Sequence, residues 1–206
     1  MTITTLAGKG SALTHAELDE NFNDLDHRTA AGWKDLVSPL NTIGVPTEFT
    51  PEYLPFGPSG LRRELAFAVG DYAFCQAFHV NHDVKPGGKA YVHIHWSTNG
   101  DSIQPVRWEF QISRALGHNQ AYFGAETSVF VQQAAHNGAW RHMVAECSLA
   151  DALTLVEPDE LILVTVRRVS NGATDNPNTV FGLSVDFHYE ADRDTTKYKA
   201  PDFYAA

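Results

Sequence analysis

The sequence predicts a mostly β protein: a jelly-roll-like antiparallel β-sandwich of about eight strands, preceded by a short N-terminal helix and a Pro-rich extended arm. Two observations carry the sandwich. From residue 61 on, apolar and polar residues alternate with period 2 in one segment after another, the pattern of strands with one buried and one wet face. The segments are short and separated by turn signals such as Lys85-Pro86-Gly87-Gly88, Asn137-Gly138 and Asn171-Gly172, with no long helix between them. Short strands without interleaved helices build a sandwich or barrel, and eight is the jelly-roll number.

The composition is that of one domain. The chain has 206 residues, 43 % hydrophobic and 11 % aromatic, enough for a real core. Fifteen basic residues stand against 25 acidic ones, a net charge of −10. Such a chain repels polyphosphate and anionic lipid, so no nucleic acid is expected as a partner. No apolar run reaches the roughly 18 residues of a membrane span, so no membrane insertion is expected. The start, MTITTLAGKG, lacks the cationic and apolar regions of a secretory signal, which makes synthesis in a cytosol the expectation. Cys75 and Cys147 fall in predicted strands and read as small buried hydrophobes.

Residues 1–31 form the first segment. Thr14 and Glu17 have the spacing of a capping box, and Leu13 and Leu18 that of a hydrophobic staple. Leu18, Phe22 and Leu25 then line one stripe of a helix from about residue 15 to about residue 27. A helix this short is marginal alone and needs a partner for its stripe. Residues 32–60 hold Pro39, Pro46, Pro51, Pro55 and Pro58. Proline at that density argues against helix and central strand and predicts an arm wrapped over a surface.

The body is expected over residues 61–190. Its candidate strands are 61–69, 73–81, 90–97, 106–115, 126–132, 139–147, 160–169 and 180–190, with a short helical connector in 148–155. The clearest stretch is AYVHIHWSTNGDSIQPVRWEFQIS, residues 90–113. Val92, Ile94 and Trp96 alternate with Tyr91, His93 and His95; Val106, Trp108, Phe110 and Ile112 alternate with Arg107, Glu109 and Gln111. The intervening loop is too long for a tight two-residue hairpin. In the last strand, Phe181, Leu183, Val185, Phe187 and Tyr189 are expected on the apolar face, with Ser184, Asp186, His188 and Glu190 opposite. Residues 191–206 are polar and then aromatic, a tail that docks by Phe203 and Tyr204. Trp33, Tyr53 and Phe56 also lie outside the predicted strands and read with them as anchors for a subunit or partner.

The chemistry-bearing candidates are few. His93-x-His95 on one strand face is how a cupin-type metal site begins, with Glu109 and His188 or His142 as possible completing ligands. The cupin pattern also needs a Glu shortly after the His pair, and residues 96–100 offer none. Both histidines face away from an apolar core, so ordinary sheet or interface histidines are expected, with no cofactor and no catalytic metal; a structural metal or a histidine cluster on an oligomer axis stays open as the alternative for His93 and His95. Asp186 and Glu190 could form a carboxylate pair for glycan hydrolysis, but an acidic wet face is the expected reading. No nucleophile elbow, phosphate-binding loop or dinucleotide fingerprint occurs. No catalytic residue is expected, and the chain reads as a non-enzyme.

Two sets of residues carry a resemblance. GSALTHAELDENFNDLD resembles the lead motif Gly-Ser/Thr-small-Leu-Thr-x-x-Glu-Leu-Asp-x-Asn-Phe-x-x-Leu near the start of many tailed-bacteriophage fibre and tail proteins. AYVHIHWSTNG, VRWEFQISRALGHNQ and VDFHYEADRDTTKYKAPDFY resemble phage virion proteins of jelly-roll type, with a His-x-His-Trp strand and a Thr-Lys-x-Lys-x-Pro-x-Phe-Tyr tail. The resemblance implies a virion structural protein that assembles as a homotrimer and binds other virion proteins of capsid, collar or tail. The expected form is a fibre attached by its N-terminal segment, with Leu13, Leu18, Phe22, Leu25, Trp33, Phe203 and Tyr204 making the attachment and oligomer contacts. Contact with the host surface, including its glycans, belongs to that expectation. A capsid decoration protein, a carbohydrate-binding receptor-recognition module and a cupin-like metalloenzyme stay open as alternatives.

Overall fold

A computed structural model of the chain describes residues 11–28, 32–42, 44–118, 121–148, 153–155, 157–172 and 174–192; for residues 20, 23–28 and 148 it describes the backbone alone. Among the described residues, one helix, α1 (His15–Arg28), precedes the strands. Its capping box forms as expected: the Thr14 backbone N–H donates to Glu17 Oε2 at 2.8 Å, and the Glu17 N–H donates to Thr14 Oγ1 at 3.2 Å.

The strands are β1 (Gly32–Pro39), β2 (Glu52–Phe56), β3 (Arg62–Ala66), β4 (Tyr72–Phe74), β5 (Phe78–His79), β6 (Ala90–Thr98), β7 (Pro105–Ala115), β8 (Thr127–Ala134), β9 (Met143–Ser148), β10 (Leu161–Val169) and β11 (Val180–Ala191). They make two antiparallel sheets facing each other in a sandwich. The first runs β2-β3-β11-β6-β9, with β1 beside β3 on the same edge of β11. The second runs β4-β10-β7-β8, with β5 also on β10.

β6 and β7, adjacent in the chain, lie in opposite sheets. Each has one face that is apolar over most of its length, and the loop between them is long enough to cross the sandwich and turn these faces toward each other. Val92, Ile94 and Trp96 on β6 and Val106, Trp108 and Phe110 on β7 are essentially inaccessible to solvent. The Trp96 and Trp108 rings meet edge to face at 6.3 Å between centroids, and Phe67 packs on Trp108 at 5.4 Å. This is the geometry aromatic pairs favour.

The Pro-rich segment departs from expectation. It contributes two strands to the first sheet instead of an arm lying over it. The prolines permit this because they sit where no ladder donor is needed: β2, which holds Pro55, is an edge strand, and Pro39 is the last residue of β1, which pairs only with β11. The predicted strand 73–81 is also broken, into β4 and β5. Cys75 lies between them, outside any strand, and Cys147 lies in β9; both are free thiols. Burial pushes the Cys147 thiol up to about 12, which suits a packing residue and not a nucleophile. Of the predicted connector, residues 149–152 lie outside the described residues, and Thr154 forms a β-bridge with Lys89 in place of a helical turn.

One parity in β11 is reversed. The register against β6 shifts between Gly182 and Ser184, a bulge. Val185, Phe187 and Tyr189 stay on the core face, but Phe181 turns to the outer face opposite Ser97, where Phe56 and Trp140 cover it at 5.2 and 5.7 Å. Gly182 faces inward in its place. A Cβ there would sit 2.8 Å from Phe67 Cε2 and 2.9 Å from Leu40 Cδ1, both in the packed core. Gly182→Ala should therefore destabilise the fold by about 1–3 kcal/mol through overpacking. A urea midpoint equal to wild type would contradict that close approach.

Candidate functional site

The outer face of the first sheet collects ionisable side chains because four strands alternate in phase there. In register, His93 on β6 lies opposite Asp186 on β11 and Glu146 on β9; Tyr91 lies opposite His188, which in turn lies opposite Asp35 on β1. His95, two residues on from His93, shares the face. The sequence put His93 and His95 on one wet face away from the core, and that is where they are. They are less wet than expected: the side chains of His93, Asp186 and His95 are only 9 %, 10 % and 23 % exposed.

The two imidazoles converge on one carboxylate. Asp186 Oδ2 lies 3.0 Å from His95 Nε2 and 3.5 Å from His93 Nε2. The opposite ring nitrogens have partners of their own. His95 Nδ1 is 2.6 Å from His142 Nε2, and His93 Nδ1 is 3.4 Å from Glu146 Oε2, an ion-pair distance without hydrogen-bond alignment. Burial works to raise the Asp186 carboxyl, but hydrogen bonding from His93 and His95 and the charge of His95 outweigh it and hold the group well below the usual carboxylate range. The Asp186 interaction in turn raises His93 against the effect of burial, helped by the charges of Asp35 and Glu146.

Asp186 was legible as a polar β11 residue but not as the group that organises the histidines. Glu109, the carboxylate considered from the sequence, is excluded by position: it lies on β7 in the opposite sheet and accepts a hydrogen bond from Ser128 at 2.8 Å. His142 and His188 do lie beside the pair.

Trp33 lies on β1 rather than in a loop. It meets Tyr91 at 5.3 Å and His188 at 5.0 Å, yet stays 47 % exposed. Tyr53 and Phe56 lie on β2. Leu13, just before α1, is half-buried, and Leu18 and Phe22 on α1 are exposed, Phe22 by 68 %. The Leu25 side chain, Phe203 and Tyr204 lie outside the described residues.

A second cluster had no signature in the sequence because its members come from three separate segments. Asp159 is approached by His79 Nε2 at 3.0 Å, His82 Nε2 at 3.3 Å and His118 Nε2. Asp159 also has a left-handed backbone, φ 63°. Burial works to raise its carboxyl, but the His118 hydrogen bond and the charges of His82, His79 and His118 outweigh it, so the folded group titrates below its ordinary 3.8. A depressed folded pKa contributes stability that is present above the unfolded pKa and lost as pH falls through the folded one. Wild type should accordingly lose stability relative to Asp159→Asn as pH is lowered from about 5 to about 2. Parallel acid-unfolding curves for the two proteins would refute this.

A cleft of about 450 Å³ opens where β2, β3 and the 177–179 segment meet, lined by Thr50, Glu52, Phe67, Asp71 and Arg168. The Arg168 guanidinium is committed there to the carbonyls of Phe67 and Asn176, each at 2.8 Å. Phe67, the aromatic residue of the lining, is buried, so the cleft presents no open aromatic platform for a sugar ring.

No family model and no curated protein matches the chain. Among solved structures it is similar to CBM35 from Cellvibrio japonicus Abf62, at 12 % identity, over 74 % of this chain and 92 % of that one, with a TM-score of 0.40. It is also similar to the structure of infectious bursal disease virus, Gt strain, at 8 % identity over 77 % and 32 %, with a TM-score of 0.33. A third is TmCBM61 in complex with β-1,4-galactotriose, at 15 % identity over 81 % and 90 %, with a TM-score of 0.26.

Proposed function

We propose that the chain is a non-enzymatic structural protein of a tailed-bacteriophage virion, a homotrimeric fibre held to the particle by its N-terminal segment. The observation that carries this reading is α1. The helix is properly capped, yet among the described residues no strand makes an extensive contact with it, and Leu18 and Phe22 of its apolar stripe face solvent. An apolar stripe left open by its own domain has its partner elsewhere. The same segment carries the phage lead motif. The sandwich supplies rigidity, and its exposed Trp33 offers further contact area to a neighbouring copy or virion protein.

The test separates folding from attachment. Deleting residues 1–30 should leave a sandwich with wild-type thermal unfolding that no longer enters particles when supplied in trans to phage lacking the gene. Incorporation at the wild-type level would refute the anchor role, and a monomeric full-length chain in light scattering would refute the trimer.

A further inference from the structure

We propose that His93 Nε2, His95 Nε2 and a carboxylate oxygen of Asp186 form a binding site for a divalent transition-metal ion of the zinc type, clamping β6 to β11. The site is independent of the virion reading and goes beyond it.

Four observations converge. First, the potential ligand atoms of these three residues all lie within 4.8 Å of one another. Metal–nitrogen and metal–oxygen bonds of about 2.0–2.2 Å in tetrahedral geometry place neighbouring ligand atoms about 3.4 Å apart. The Nε2–Oδ2 separations of 3.0 and 3.5 Å straddle that value, so little movement is needed to admit an ion. Second, both rings offer the same nitrogen. His95 and His93 turn Nε2 to the site, while Nδ1 faces His142 and Glu146 respectively. Outer partners of this kind fix the orientation of metal-bound imidazoles. Third, the centre is short of a partner. Asp186 Oδ1 is buried with no hydrogen bond, a costly arrangement for a side chain nine-tenths shielded from water. Fourth, two imidazoles and one carboxylate are a donor set suited to zinc and its neighbours in the first transition row, not to calcium or magnesium, which take oxygen ligands.

A second set, Asp35, His93 and His188, also has its potential ligand atoms within 4.8 Å. It is the weaker one because the Asp35 side chain is 47 % exposed, leaving its carboxylate well hydrated.

Full-length protein stripped with a chelator and titrated with Zn²⁺ against a chromophoric competitor should bind one equivalent per chain. In the wild-type protein, heteronuclear NMR of the imidazole nitrogens should show Zn²⁺ shifting Nε2 of His93 and His95, a readout that needs no mutation. His95→Gln and Asp186→Asn should weaken binding by about 100-fold or more, and His142→Ala by about 10–100-fold through loss of orientation. His188→Ala and His79→Gln should bind as wild type. The assignment is overturned by absence of stoichiometric binding, by Nε2 resonances of His93 and His95 that do not respond, or by loss of affinity in His188→Ala or His79→Gln instead.

Discussion

Trp108→Ala should destabilise the protein by about 3–5 kcal/mol, the range for deleting a large aromatic side chain from a packed core. Against a total stability of about 5–15 kcal/mol for a domain of ordinary size, that is a large share, and at the low end of the range it leaves a substantial unfolded fraction. Trp108 is fully inaccessible and lies on β7, between β10 and β8 in the second sheet. Its ring is the contact through which β7 meets Trp96 of the opposite sheet and Phe67 beside it. Removing it opens a void at the junction of the sheets that rigid strands on both sides close only in part. The midpoint of urea unfolding should fall with an unchanged m-value, because the surface exposed on unfolding is nearly the same. A milder comparison tests the polar side of the same residue. Trp108 Nε1 has no hydrogen-bond acceptor among the described residues, whereas Trp96 Nε1 donates to Gln133 Oε1 at 2.7 Å. Trp108→Phe relieves an unsatisfied donor, while Trp96→Phe orphans an acceptor. The second should therefore cost about 1 kcal/mol more than the first. Equal losses would show that ring volume alone matters at both positions.

These two tryptophans also show what the sequence could reveal. Their strands alternate cleanly, so one face must be buried, and the periodicity identifies which. It does not say what the face is buried against. β6 and β7 read as chain neighbours, but only the crossing loop decides that they face each other across the core. β1 and β2 were hidden because strand propensity assumes a donor at every position; edge strands relax that demand, and Pro39 and Pro55 exploit it. Phe181 was assigned to the wrong face because period-2 counting fails at a bulge, and a single extra residue at Leu183 inverts every side chain on one side of it. The histidine site was half legible. His93 and His95 announced themselves by spacing, whereas Asp186 joins them only through the β6–β11 register. The Asp159 cluster draws on residues 79, 82, 118 and 159, and no local pattern links His79 and His82 to the other two.

Asp186→Ala should be the most damaging substitution among the ionisable residues of the outer face, at about 3 kcal/mol in metal-free protein at neutral pH. The side chain is nearly buried, and its carboxylate is the common partner of His93 and His95. Removing one member of a buried pair leaves the others shielded from water and uncompensated, at about 3–5 kcal/mol for permanent charges. The lower end applies because an imidazole can shed its proton and become neutral, which a guanidinium cannot. Replacing the group as a whole should be gentler. In His93→Phe/His95→Val/Asp186→Leu no buried polar atom is left without its partner, and substituting a buried ionic cluster by apolar side chains of similar size is often neutral or stabilising. The triple variant should thus be more stable than Asp186→Ala alone, by about 1–3 kcal/mol. That ordering separates two accounts of the cluster. If the triad held the sheet together in its metal-free form, the triple variant would be the worse of the two. If the triad is there to hold an ion, the apolar variant keeps the fold, gives up Zn²⁺ binding, and no longer gains in melting temperature when Zn²⁺ is added, whereas the wild type does.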